Sequence, residues 1–341
     1  MNYAERSQES PKAIRSVELG VTTIEWRELL AESPYANAFQ TEEMYNFLSS
    51  LGCLCSFLSY VRNSENKLVG VAVGYIQAEK GIKNYFSKRA IIQGGLLLSP
   101  KATNDDVKAL LNDIKTQTAS AIYVEIRNNA DYSKYKSAFL EAGFDYKPHL
   151  NCLIDCSNAD EALKNMNESR RRQVRLATDG EYQVKMAETA DEVNEFYSLL
   201  LNHYKTKVKK PVFPREFFEK IVTQKVGEIM LIKIGGKIVS GMLQLYFPSG
   251  VVYDYYVFGL DNEYHDKYPS VLVYWETIKR ASSLGYTCFD TMGAGTPGVP
   301  YGVRDFKLRF GSRLVEHGRF LHINKPFLYR LGTFAIKLLS K

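Results

Sequence analysis

One run restricts the fold more than any other: residues 268–311, YPSVLVYWETIKRASSLGYTCFDTMGAGTPGVPYGVRDFKLRFG. Pro269 and Ser270 open a helix, the serine able to cap a free backbone N–H, and no proline follows until Pro297. Val271, Leu272, Trp275, Ile278 and Ala281 recur every three or four residues and give that helix one apolar face. Gly285 stands where a left-handed C-terminal residue is wanted. Tyr286, Cys288 and Phe289 then read as a short buried strand ending at Asp290, and a loop rich in glycine and proline, 293–302, closes on Arg304-Asp305-Phe306-Lys307. Helix, strand with an acidic end, pliant loop and cation, in that order, describe a ligand site at a strand terminus. Glycine lets backbone approach a ligand closely, and Arg304 and Lys307 place positive charge beside it. Either cation taken singly reads equally well as solvated surface charge. The loop as a whole does not, because long irregular loops in compact domains are usually functional or disordered, and here apolar residues resume at Phe306, Leu308 and Phe310.

The same order of elements occurs twice. In the first half, a short strand and a helix carrying Trp26, Leu29 and Leu30 are expected in 17–32, and a helix capped by Thr41 in 42–51. A hairpin follows, with strands 56–61 and 68–76 around a polar turn, then a strand 90–98 holding Gly94-Gly95. Helix 103–118, strand 122–126 and helix 131–142 lead through Gly143 into a strand at Phe144. A junction lies near 157–160. Helices 161–166 and 168–178, strand 182–186, helices 193–204 and 214–223, and a meander of 228–234, 237–247 and 251–258 bring the chain to its opening run. Lys67-Leu68-Val69-Gly70 is echoed by Lys237-Ile238-Val239-Ser240, and Gly143-Phe144 by Gly285-Tyr286. With 341 residues there is room for two cores. The reading is α+β: tandem domains over 1–156 and 157–325, each a mixed, largely antiparallel sheet flanked by helices, with a single mixed α+β fold as the alternative. The last segment, 326–341, alternates Phe327, Leu328, Leu331, Phe334 and Leu338 with Arg330, Lys337 and Lys341, a basic amphipathic helix that either docks on the protein or rests on an anionic membrane surface.

Several classes are disfavoured. No apolar run approaches the roughly 20 residues that span a bilayer, and the polar N-terminus does not read as a secretory signal, so a cytoplasmic protein, at most peripheral to the membrane, is expected. Five cysteines and five histidines are scattered without zinc or disulfide spacing, and there is no G-x-S-x-G, so neither a metal nor a tightly bound cofactor is expected. A net charge of +6 permits an anionic partner without requiring one.

Candidate binding residues sit in both halves of this second domain. Arg170, Arg171, Arg172 and Arg175 lie on one predicted helix, Arg171 four and Arg172 three residues before Arg175, a spacing suited to gripping phosphate or to a solvated face. Lys205, Lys207, Lys209 and Lys210 form a basic run. Tyr253-Asp254-Tyr255-Tyr256 alternates across a strand, so that one face, with Tyr255, can line a pocket; Tyr301 lies in the glycine loop. Asp290 is placed either to orient a substrate amine or to cap backbone amides.

The pattern P-S-x-L-x-x-W-E-x-I-x-x-A, then G-x-x-x-F-D, then F-K-x-x-F-G, together with R-R-x-x-R-x-A at 171–177, resembles the FemAB-type aminoacyltransferases, relatives of the GNAT acyltransferases. The resemblance covers about 161–325 and is weaker before 156. It implies two tandem GNAT-like domains and transfer of an aminoacyl or acyl group to an amine of a cell-wall or surface-polysaccharide precursor. The cosubstrate would be aminoacyl-tRNA or acyl-CoA, and the partner an anionic nucleotide- or lipid-linked precursor. It makes Lys307 the cation steadying charge at the reacting carbonyl and gives phosphates to Arg304 and the 170–175 arginines; Asp290 is the second candidate catalytic residue. The inserted helical hairpin of some of these enzymes is missing, as is the Q/R-x-x-G-x-G/A loop of ordinary GNAT enzymes. A binding protein for an anionic nucleotide-sugar or glycolipid on the same scaffold is the alternative.

Overall fold

The computed structural model describes residues 20–78 and 87–339. Two seven-stranded sheets carry the chain. Strands β1 (Leu54–Arg62), β2 (Leu68–Gln77), β3 (Arg89–Gly94), β4 (Leu97–Leu98), β5 (Tyr123–Asn128), β6 (Asp145–Lys147) and β7 (Leu150–Asp155) come from the first half. Strands β8 (Gln183–Met186), β9 (Glu228–Ile234), β10 (Lys237–Phe247), β11 (Val251–Gly259), β12 (Cys288–Gly293), β13 (Arg313–Glu316) and β14 (Arg319–Ile323) come from the second.

The first sheet runs β1-β2-β3-β5-β14-β6, with β4 against β2; the second runs β13-β7-β12-β11-β10-β9-β8. Each has an antiparallel meander, then one parallel joint, β3 with β5 and β11 with β12, bridged by a crossover helix, Asn104–Gln117 or Pro269–Ser283. Beyond the joint, each half accepts a strand from the other. β14 lies between β5 and β6, and β7 lies between β12 and β13. Sheet membership therefore departs from the sequence division at 156: β7 completes the second sheet and β14 the first. The cores are joined as well. One cluster includes Trp26, Phe39, Phe47 and Tyr75 from the first half with Phe196, Phe213, Phe217 and Phe258 from the second, so neither half closes its apolar surface alone.

Local chemistry explains most elements. Thr22, Thr41, Thr103 and Thr189 each accept a backbone N–H at a helix start. The crossover helix Pro269–Ser283 buries Val271, Leu272, Trp275, Ile278 and Ala281 as its period requires, and Gly285 closes it at φ +80°. Its cap differs from expectation. Ser270 is itself held: Asp261 accepts its N–H at 3.0 Å and its hydroxyl, so the carboxylate serves the helix start.

Two expected strands are altered. The run 90–98 is broken at Gly94 and Gly95, both left-handed (φ +87° and +88°), and folds back so that β4 pairs with β2. In 17–32, Thr23–Glu32 is helical, residues 20–22 form no strand, and 17–19 lie outside the described residues. The helix Pro326–Leu339 packs Tyr329 edge-on against Tyr123 at 5.5 Å, while Phe327, Leu331 and Phe334 remain exposed.

Candidate active site

The parallel joint of the second sheet opens almost at once. β11 and β12 pair only from Val251↔Cys288 to Tyr253↔Asp290. At that point β11 carries a bulge: Leu243 of β10 faces Tyr256 and Gln244 faces Asp254, leaving Tyr255 as the extra residue. A bulge bends its strand and re-aims the side chains around it. The strands separate, and a cleft of about 840 Å³ lies between them and the facing side of the first sheet. Asp254, Tyr255, Tyr256, Tyr274, Thr291, Gly293, Tyr301 and Lys307 line it.

Lys307 comes to the cleft on the helix Gly302–Leu308, and only 5% of its surface is exposed. Its ammonium donates to Thr291 O and, at 3.0 Å, to Gly293 O. The backbone between these carbonyls is not extended: Met292 is left-handed (φ +61°) where the β12–β7 register shifts, and both carbonyls turn to the one ammonium. An ammonium has three N–H groups; among the described residues the third has no partner. Burial lowers the Lys307 pKa, opposed by the charges of Asp254 and others nearby.

Asp254, 6% exposed, accepts a hydrogen bond from the Tyr274 hydroxyl, and burial raises its pKa. Arg170 braces the chain on either side of Lys307. This arginine is 2% exposed, sits 4.3 Å from the centres of both the Phe306 and Phe310 rings, and donates to Phe306 O at 3.2 Å. Burial lowers its pKa to about 10.

The predicted residues divide. Lys307, Tyr255 and Tyr301 line the cleft. Asp290 does not. It is 2% exposed behind the strand, its Oδ1 accepts the Met292 N–H at 2.7 Å, and burial pushes it up to about 6. Of its two readings in sequence, the backbone cap is the one the geometry fits, while Asp254 supplies the carboxylate in the cleft. Arg304 is likewise occupied elsewhere: it donates to Ala294 O at 3.4 Å, to Thr296 O at 3.1 Å and to Val299 O, tying the glycine loop shut. Arg171 donates to Lys164 O and Met166 O at 2.8 and 2.6 Å, fastening two helices. Arg172 and Arg175 rim a separate, shallower hollow with Glu168 and Tyr268. The helix Glu168–Thr178 explains this split, since its buried side is Arg170, Val174 and Ala177, spaced four and three apart.

Sequence reasoning missed Asp254 as a site residue, along with Arg89, Arg127 and Arg319 of the first sheet and His149 of the loop before β7, which line the same cleft. Only the run Tyr253–Tyr256, polar and aromatic where plain alternation should continue, signalled any of them. Among the described residues no group of His, Cys, Asp and Glu is arranged to hold a metal.

Residues 164–307 match the acetyltransferase (GNAT) domain family. No curated protein matches the sequence. Among solved structures, FemX is similar over 91% of this chain and 98% of its own, at 16% identity and a TM-score of 0.69. The C-terminal domain of a putative lysylphosphatidylglycerol synthetase from Agrobacterium fabrum is similar at 12% identity and TM-score 0.56, over 91% of this chain and 93% of that one. A tandem GNAT protein from the clavulanic acid biosynthesis pathway, at 11% identity and TM-score 0.56, matches over 89% and 95%. At these identities the likeness is one of fold.

Proposed function

From the premise that the chain folds as a FemAB-type pair of tandem GNAT domains, we propose that it is an N-acyltransferase. The observation that carries the reading is Lys307: a buried ammonium, fixed by two carbonyls, with one N–H left over inside a cleft. The gap between β11 and β12 leaves strand edges to which an extended donor arm can bond, as an added strand does.

An activated ester or thioester carbonyl there faces the free N–H of Lys307. The acceptor amine attacks that carbon, its surplus proton passes to Asp254, and the oxyanion is held by the ammonium. Collapse expels the alcohol or thiol, which recovers the proton from Asp254, and an amide remains. Tyr274, bonded to Asp254, keeps the carboxyl oriented.

The donor is aminoacyl-tRNA or acyl-CoA, and the acceptor an amine on a cell-wall or lipid precursor. The GNAT family match supports acyl transfer, and a structural neighbour named for lysyl transfer to a phospholipid supports the aminoacyl form. The test is Lys307→Met, assayed with both donor classes against amine acceptors. Turnover is expected to fall by about 10²–10³. A retained melting transition would show that the fold survives. Near-normal kcat in the variant would reject the role.

A further inference from the structure

The first sheet turns a charged face to the cleft. On β3, Arg89, Ile91 and Gln93 share a side; on β5, Glu125 and Arg127 do; β14 brings Arg319 directly opposite Arg127. The reverse face, with Ala90, Ile92, Val124, Ile126 and Phe320, is core.

Two arginines directly opposed on neighbouring strands repel each other. Glu125 stands between them, accepting from Arg127 Nε at 2.7 Å and from Arg319 Nη1 at 2.9 Å. It is the one carboxylate among these cleft-facing groups. Among the described residues Arg89 is bonded only to the neutral Gln77, at 3.3 Å, and Lys210 stands at the rim. His149 adds no charge near neutral pH, because burial and then Arg319 push it down to about 4; its Nε2 accepts from Arg319 at 2.8 Å. Three guanidinium groups and an ammonium against one carboxylate leave this corner strongly positive. Among the described residues, neither terminal nitrogen of Arg127 has a hydrogen-bond partner.

The corner adjoins the proposed reacting centre through one residue. Gly293 gives its carbonyl to Lys307, and a methyl group placed on its Cα would come within 3.0 Å of His149 Nε2 and 3.9 Å of Arg319 Nη2. Glycine at 293 therefore keeps the passage between the two cationic groups open.

We propose that Arg89, Arg127 and Arg319 form a binding site for the phosphate or diphosphate group of a substrate, distinct from the Lys307 centre. Guanidinium groups converging from three adjacent strands offer planar, paired donors to phosphate oxygens, which scattered surface lysines do not. The inference deepens the acyltransferase reading by giving that substrate an anionic carrier, but the site stands or falls on binding alone.

The probe is inorganic pyrophosphate, followed by thermal shift and titration calorimetry on the full chain at low and moderate salt. Wild type is expected to gain about 2 °C at ten times the dissociation constant, and to lose affinity as salt rises. Arg127→Gln is expected to bind roughly 10- to 100-fold more weakly. Arg89→Gln, which removes no contact to Glu125, supplies a second variant should loss of Arg127 unbalance that carboxylate. Lys307→Met is expected to bind as wild type does, so loss of turnover with intact anion binding separates the two ideas. Arms with uridine diphosphate and a short prenyl diphosphate identify the carrier, nucleotide or lipid, by which of them binds more tightly than pyrophosphate. No stabilisation, or stabilisation unchanged in both arginine variants, overturns the site.

Discussion

In the first half β3 and β5 stay paired from Arg89↔Tyr123 to Gly94↔Asn128; in the second, β11 and β12 part after Tyr253↔Asp290. The joints are otherwise alike, each parallel and each bridged by a helix on one face. The bulge at Tyr255 coincides with the parting. A closed joint leaves no edge between its strands, so its polar residues act only from the sheet's face. An open one exposes backbone and side chains in the gap itself. The chain thus carries two versions of one part: a closed joint with arginines on its face, and an open one with Lys307 at its gap.

The third residue of the strand beyond the joint shows the same divergence. In β5 it is Glu125 and in β12 it is Asp290. Burial alone would raise both. At Glu125 the charges of Arg127 and Arg319 outweigh burial and hold the group down to about 2. At Asp290 burial wins over the Met292 N–H and Lys307, and the group rises to about 6.

The largest expected effect lies in the open joint. Asp254→Asn keeps the shape, still accepts from Tyr274, and cannot take up a proton. Its kcat is expected to fall by about 10²–10⁴ with KM little changed. In Glu125→Gln the loss is expected in stability instead, about 1–3 kcal/mol, because Arg127 and Arg319 are left opposed. A Glu125 variant with the larger catalytic defect would reverse the assignment of the two halves.

Opposite pH responses give a sharper, smaller test. Asp290, with its folded pKa above the ordinary 3.8, binds its proton more tightly in the folded chain. Its contribution is full below pH 3.8 and is lost as pH rises through 6. Glu125, held below 4.5, contributes fully above that value and loses its contribution as pH falls towards 2. Asp290→Asn should therefore gain on wild type by about 2–3 kcal/mol between pH 4 and pH 7, whereas Glu125→Gln should lose ground over its own window, from pH 2 to pH 5. Urea midpoints of the three proteins across this range measure it; parallel curves would show that the two carboxylates sit in like surroundings.

The sequence made the elements of each half legible because they are local: helix caps, hairpin turns and the apolar period of 269–283 are written within a few residues. The exchanged strands β7 and β14, and the edge strand β13 that pairs with β7, were not foreseen. They are short, and their partners lie far off in sequence, so nothing nearby specifies which sheet they enter. The arginine corner was hidden for the same reason, since Arg127 and Arg319 meet only through β14. Lys307 was legible because motif and loop surround it. Arg304 looked equivalent, but its guanidinium is used up by three carbonyls that no spacing rule could reveal.

That difference between Arg304 and Arg127 supplies the mildest prediction. Arg304→Ala removes hydrogen bonds from a partly exposed loop and should cost about 1 kcal/mol, since water reaches the freed carbonyls. It should quicken proteolytic cutting within 294–301 while leaving pyrophosphate affinity where it was. Arg127→Gln should do the reverse, weakening the anion and sparing the loop. If Arg304→Ala weakened pyrophosphate as much as Arg127→Gln did, the loop of the open half would share in phosphate binding. The division of labour between the two joints would then fail at its plainest point.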